Sequence, residues 1–182
     1  MKTILVFSGS NSSTSINQRL VIYAAHCLEG VNLKIIHLKD YPAPLYSWDL
    51  EQAGEFPDTM MQLNDMFKGI DGMLISLPEY NSGITPVFKN AMDWISRIEK
   101  PTLKNKPVCL LATSPGARGG KSNLEHVANV LIERWGGRLT STFSLASFGE
   151  HWQDETLAMP KDLSDALSET LSKFKEVLDH ES

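Results

Sequence analysis

The sequence of 182 residues predicts one α/β domain, a five-stranded parallel sheet covered by helices on both faces. Two observations carry this. Short continuous apolar runs such as "KTILVFS" (2–8) and "PVCLLAT" (107–113) end at turn residues, the pattern of strands buried on both faces. Between such runs, apolar residues recur at helical spacing, so strand and helix alternate along the chain. The length suits a single hydrophobic core, and no repeat, low-complexity stretch or linker divides it.

The first strand spans 2–8. Ile16, Leu20, Tyr23, Ala24 and Cys27 then fall on one face of a helix over 15–29. Residues 32–37, "NLKIIH", read as the second strand, and 38–57, with three prolines, as an irregular connection. A helix follows over 58–68, with Asp58 near its start, then the third strand over 71–76. The helix over 86–98 places Val87, Phe88, Ala91, Trp94, Ile95 and Ile98 on one face. Pro86 suits its first turn, where no backbone donor is needed. After the fourth strand, 107–113, a helix over 121–135 is ended by Gly136 and Gly137. A short fifth strand near 139–143 and an amphipathic helix over 160–179 complete the chain.

Composition narrows the function. Hydrophobic content of 42% and charged content of 21% are ordinary for a globular protein. The net charge of -5, with no run of Lys or Arg, argues against nucleic acid and against a polybasic membrane contact. No stretch approaches the roughly 18 apolar residues of a membrane span. The N-terminus lacks the long apolar region of a signal peptide, so a cytoplasmic location is expected. The five histidines are scattered and predict no metal site. Cys27 and Cys109, unpaired in spacing, are expected to be buried free thiols.

In such sheets ligands bind beyond the C-terminal strand ends, where the strand order reverses. The loops after the first, third and fourth strands therefore matter most. In the first, six of the eight residues from Ser8 to Ser15 carry hydroxyls, just before a helix start. That combination suits a phosphate held by neutral donors and the helix dipole; the plainer reading is a Ser-rich turn with a cap at Ser13 or Ser15. The loop after the fourth strand, "TSPGARGGKSN", ends like a Walker motif. The required first Gly is Pro115, which has no N–H, so a nucleoside triphosphatase is disfavoured. Gly116, Gly119 and Gly120 would allow close approach to a flat ligand.

The loop after the third strand reads "SLPEYNSGITP". Pro78 and Pro86 stiffen it, and Gly83 is expected to make its bend. The amides of Glu79, Tyr80 and Asn81 can align toward a ring edge, with Tyr80 as an aromatic wall. Plainer readings are a solvated acid at Glu79 and a turn former at Asn81. As a general acid Glu79 would want a partner, and none is adjacent in sequence. Lys89 and Asp93, four apart on a helix, read as a surface ion pair, and Trp94 as core or subunit packing.

"PEYN" followed by a Gly-containing turn and "KNAMDWIS", "GS…S.N..L" after the first strand, "SPGARGG" and "YPAPLYSWDLE" together resemble the NAD(P)H-dependent FMN reductase family, over roughly residues 3–150. Quinone, chromate and azo-dye reductases belong to it. The resemblance implies a three-layer flavodoxin-like fold with strand order 2-1-3-4-5 and non-covalent FMN. It implies that Ser10, Ser12, Ser15 and Asn17 hold the FMN phosphate, and many members carry an Arg where this chain has Ser12. Pro78, Glu79, Tyr80 and Asn81 would line the isoalloxazine, and Ser114, Gly116 and Gly119 would flank its other side. It further implies NADPH or NADH as donor, a flavin, quinone or similar small acceptor, no catalytic side chain, and a homodimer or homotetramer. Trp94 and the helix at 122–135 are the candidate contact surfaces. The alternative is a flavodoxin-type electron carrier without NAD(P)H turnover. His151 and Trp152 either overhang the site or form a polar loop with one anchoring aromatic.

Overall fold

Five parallel strands form the central sheet of the computed structural model, which describes residues 1–180. The chain runs β1 (Lys2–Ser8), α1 (Ile16–His26), β2 (Val31–Ile35), α2 (Trp48–Gln52), α3 (Asp58–Lys68) and β3 (Gly72–Ser76). It continues through β4 (Glu79–Tyr80), β5 (Gly83–Ile84), α4 (Pro86–Ile98), β6 (Pro107–Thr113), α5 (Lys121–His126) and α6 (Ile132–Arg134). The last elements are β7 (Arg138–Leu145), α7 (Phe148–His151), β8 (Trp152–Gln153), β9 (Thr156–Leu157) and α8 (Lys161–Asp179). The sheet order is β2-β1-β3-β6-β7. With β6 and β7 as fourth and fifth strands, this is the flavodoxin-like order expected.

Alternation along the strands builds two cores, because successive side chains face opposite sides. Leu5, Phe7, Met73, Ile75 and Leu110 face α3, α4 and α5, where Phe67, Phe88, Trp94 and Trp135 fill the layer. Ile4, Val6, Leu74, Cys109 and Leu111 face Leu20, Val21 and Ala24 of α1 and Leu171 and Phe174 of α8. The helix α8 lies so close to the sheet that a Cβ at Gly72 would fall 2.7 Å from Leu178 Cδ2.

Several expectations are corrected. The first helix ends at His26, and Cys27 is its exposed C-cap, so only Cys109 is a buried thiol. The helix over 121–135 changes register in the middle, with Val127–Leu131 wound as a π segment. Trp94 is 0% exposed and donates from Nε1 to the Pro44 carbonyl at 2.8 Å, so it is core of its own chain rather than a contact surface. Residues 38–57 are less irregular than their prolines suggest. The amide of Asn90 on α4 donates to Pro44 O at 3.0 Å and accepts from the Tyr46 N–H at 2.7 Å. That bracing leaves Leu45 and Trp48 pointing outward, 78% and 61% exposed. Two small hairpins, β4–β5 and β8–β9, were not anticipated; two-residue strands leave no periodic signal. Lys89 and Asp93 do pair, at 2.6 Å. Among the described residues no helix is long and apolar enough to cross a membrane.

Candidate functional site

A cleft of about 280 Å³ opens at the C-terminal ends of β1, β3 and β6. Its walls are the Ser-rich loop (Ser10 to Asn17), Pro78 to Tyr80, and Thr113 to Pro115. The three loops singled out in the sequence therefore meet.

The Ser-rich loop is pinned at its root. Gly9 donates to Ser76 O at 2.9 Å and accepts at its own carbonyl from Thr85 Oγ1 at 2.5 Å. The Phe88 ring lies so close that a Cβ at Gly9 would approach it to 3.1 Å. Beyond the root, Ser10 Oγ accepts from the Ser12 amide and Ser12 Oγ from the Thr14 amide. Ser15 caps α1 by accepting from the Gln18 amide at 3.2 Å, a contribution of about 1 kcal/mol. Among the described residues the amides of Ile16 and Asn17, in the first turn, have no acceptor. Free helix-start donors ringed by hydroxyls fit a phosphate. No Lys, Arg or His lines this cleft, whereas one carboxylate, that of Glu79, does.

Asn17 sits beneath the loop, 3% exposed. Its Oδ1 accepts from Ser76 Oγ at 2.7 Å and from the Thr113 amide at 3.1 Å, while Nδ2 donates to Thr113 O at 3.0 Å. The side chain thus ties α1 to the ends of β3 and β6, and its backbone amide is what remains for a ligand. Gln18 does the same on the other side: Oε1 accepts from the Ser8 amide and Nε2 donates to Ile36 O, each at 3.0 Å. Nothing in the sequence marked Gln18, because both its partners come from other elements.

Pro78 to Ile84 fold as a β-hairpin in which Tyr80 faces Gly83 across the ladder. The bend is at Asn81 and Ser82, with φ of 51° and 64°, a two-residue turn with both residues left-handed. Gly83, assigned that bend from sequence, is not left-handed. Tyr80 is 50% exposed at the rim, where its ring forms a flat wall. Glu79 Oε2 accepts from the Asn123 amide at 3.0 Å, and Asn123 Nδ2 donates to Pro78 O at 2.7 Å. Asn123, 1% exposed, was missed. The sequence shows only a polar residue near a helix start, with its partners 44 and 45 positions away.

In the third loop the cleft wall is Thr113, Ser114 and Pro115. Gly116 and Gly119 stand behind and shape its path. A Cβ at Gly119 (φ +59°) would meet Ser144 Oγ at 2.5 Å and the Ala146 amide at 2.9 Å, so its close approach is to the end of β7. Gly116 O accepts from the Ser147 amide and Ser114 O from the Phe148 amide, which brace the loop against α7. Lys121, the Walker-like lysine, starts α5 away from the Ser-rich loop and lines a different groove.

A model of the NADPH-dependent FMN reductase family matches residues 2–150. A quinone reductase of Escherichia coli K12 is 37% identical over 89 residues, 49% of this chain and 47% of that protein; the match spans about half the length of that relative. An NAD(P)H-dependent FMN reductase of Pseudomonas aeruginosa is 29% identical over 130 residues, covering 71% and 69% of the two chains. Among solved structures, a flavoenzyme NAD(P)H:acceptor oxidoreductase of Paracoccus denitrificans superposes with a TM-score of 0.78 at 24% identity, over 99% of each chain. That likeness is one of fold.

Proposed function

The chain belongs to the NADPH-dependent FMN reductase family, and on that premise we propose that it is a flavin oxidoreductase. It would hold FMN in the three-loop cleft, take reducing equivalents from NADPH or NADH, and pass them to a quinone, flavin or similar small acceptor. The observation that carries this reading is the cleft's two-ended chemistry. One end offers the amides of Ile16 and Asn17, without an acceptor among the described residues, and the hydroxyls of Ser10, Ser12 and Ser15; the other offers the flat walls of Pro78, Tyr80 and Pro115.

The residues present fit the cofactor. Ser10, Ser12 and Ser15 would receive its phosphate, and the hairpin at 78–81 with Ser114 would line its ring. When bound, FMN supplies the two-electron chemistry that couples a nicotinamide donor to the acceptor. The protein's own part is to bind and orient. Asn17 holds the strand ends that carry the loops at fixed separation, Asn123 fixes the entry to the hairpin at Pro78 O, and Tyr80 shields the rim. The titratable side chains on the cleft wall are Glu79 and Tyr80, and the Glu79 carboxylate already accepts from a helix-start amide. Proton transfer by a dedicated acid–base pair is therefore no part of this reading.

The rigidly braced Leu45 and Trp48 suit burial against a second copy of the chain, in line with a homodimer or homotetramer in the cytoplasm. The test of function is NADPH consumption with a benzoquinone acceptor, using flavin-stripped and FMN-loaded protein. Turnover that appears only with FMN supports the reading. FMN binding without NADPH consumption would favour the electron carrier instead.

A further inference from the structure

We propose that the cavity between α1 and the β8–β9 hairpin is a second binding site, for a small zwitterion that carries an aromatic ring, the chemistry of an aromatic α-amino acid. The inference goes beyond the FMN reading and does not depend on it.

The cavity measures about 490 Å³, a volume within the range of small-molecule sites. It shares no wall residue with the three-loop cleft. One wall is a single face of α1, formed by Arg19, Ile22, Tyr23 and His26 at helical spacing. The other wall is the hairpin, with Trp152 on β8 and Glu155 in the turn that leads to β9. The backbone of that turn is defined. Asp154 and Glu155 have φ of 48° and 59°, two left-handed residues closing a two-stranded ladder.

The aromatic wall is supported from behind. Trp152 stacks on Phe148 with centroids 5.3 Å apart and planes at 21°, and Phe148 is buried. The Arg19 guanidinium lies 5.0 Å from the Trp152 ring centroid. Stacking restrains a long side chain that otherwise samples many rotamers. A guanidinium stacked by its face keeps its N–H donors at its rim, where a carboxylate can meet them in pairs.

The charges select the ligand. Among the described residues the side chains of Arg19, Tyr23, His26 and Glu155 make no hydrogen bond or ion pair, and Arg19 has only its stacking contact. Arg19 and Glu155 therefore face one cavity with opposite charges and do not neutralise each other. A simple anion would be opposed by Glu155, and a simple cation by Arg19. A molecule of both signs answers both, its carboxylate toward the guanidinium and its ammonium toward Glu155. Ile22 and the Tyr23 ring, half-buried against the core beneath α1, add the apolar surface that suits an aromatic ring.

The test is calorimetric titration of the purified protein, with and without FMN, using L-phenylalanine as the probe. Three relatives each lack one feature: 3-phenylpropionate the ammonium, phenethylamine the carboxylate and glycine the ring. Phenylalanine should bind equally well in the presence and absence of FMN. Each relative should bind about tenfold more weakly or worse, the loss of one favourable contact. In Arg19→Gln the phenylalanine Kd should rise about tenfold, while phenethylamine, with no carboxylate to lose, is unaffected. In Glu155→Gln it should rise by a similar factor, while 3-phenylpropionate is not weakened. Both side chains are exposed and outside the cleft, so FMN affinity should be the same in each variant as in the unmodified protein. Absence of binding heat at millimolar phenylalanine overturns the inference. So does a relative that binds as tightly as phenylalanine, an unchanged phenylalanine Kd in either variant, or competition with FMN, which would place the probe in the three-loop cleft.

Discussion

The Glu79 carboxylate accepts a hydrogen bond from the backbone amide of Asn123 at 3.0 Å, joining the hairpin after β3 to the first turn of α5. An acid beside a phenol and an amide at the mouth of a buried strand invites a catalytic reading. The structure gives the acid a different task. An anionic side chain at a helix start is favoured by the helix dipole and satisfies an amide that the helix cannot.

Glu79→Gln should therefore keep kcat within about twofold, since the amide oxygen can still accept from Asn123. A general acid would contribute about 100-fold or more. Steady-state turnover of the FMN-loaded variant decides between the two, and a loss of about that size would restore the catalytic role.

Asn123→Ala should cost about 1–3 kcal/mol in urea unfolding, because Pro78 O loses its buried partner. It should also raise the FMN Kd by about tenfold. Lys121→Ala, at the exposed first residue of the same helix, should leave both unchanged. Equal effects of the two would mean that the Walker-like loop, not the hairpin brace, governs flavin binding.

Ser82→Gly should stabilise the protein by about 0.5–1 kcal/mol, as Ser82 holds φ of 64°, a region in which a Cβ is strained. A rise in Tm of about 2 °C by calorimetry is the expected reading. An unchanged or lower Tm would mean that the hairpin does not keep this turn in solution.

The thiols should separate in reactivity. Cys27 is exposed, with partial desolvation raising its pKa above the ordinary thiol value, while burial pushes Cys109 up to about 12. Because the thiolate is the reactive form, an aromatic disulfide reagent at mildly alkaline pH should modify one thiol in the folded protein. The second should react only with global unfolding. Two thiols reacting at once would contradict the burial of Cys109 on β6.

The sheet was legible because β1, β3 and β6 are continuous apolar runs, a signal that needs no partner to be read. The three loops were legible because the fold class places ligands at those strand ends. What escaped was set by tertiary contact. Cys27 reads as core from its helical spacing, yet the helix ends one residue earlier. Trp94 reads equally as core or as subunit packing until the loop carrying Pro44 folds back on it and makes it core. The bend of the hairpin was assigned to Gly83, since glycine is the usual left-handed residue, whereas the ladder between Tyr80 and Gly83 forces Asn81 and Ser82 there. Asn17 was expected at the phosphate and lines that end of the cleft; what escaped is that its side-chain amide ties Ser76 and Thr113, far away in sequence, and leaves its backbone N–H toward the opening.

The most direct measurement of the central claim is the visible flavin absorbance of the FMN-loaded protein, followed without oxygen as NADPH is added. The account predicts that the yellow absorbance bleaches within seconds to minutes and returns when a quinone is supplied. An absorbance that persists under excess NADPH would contradict it.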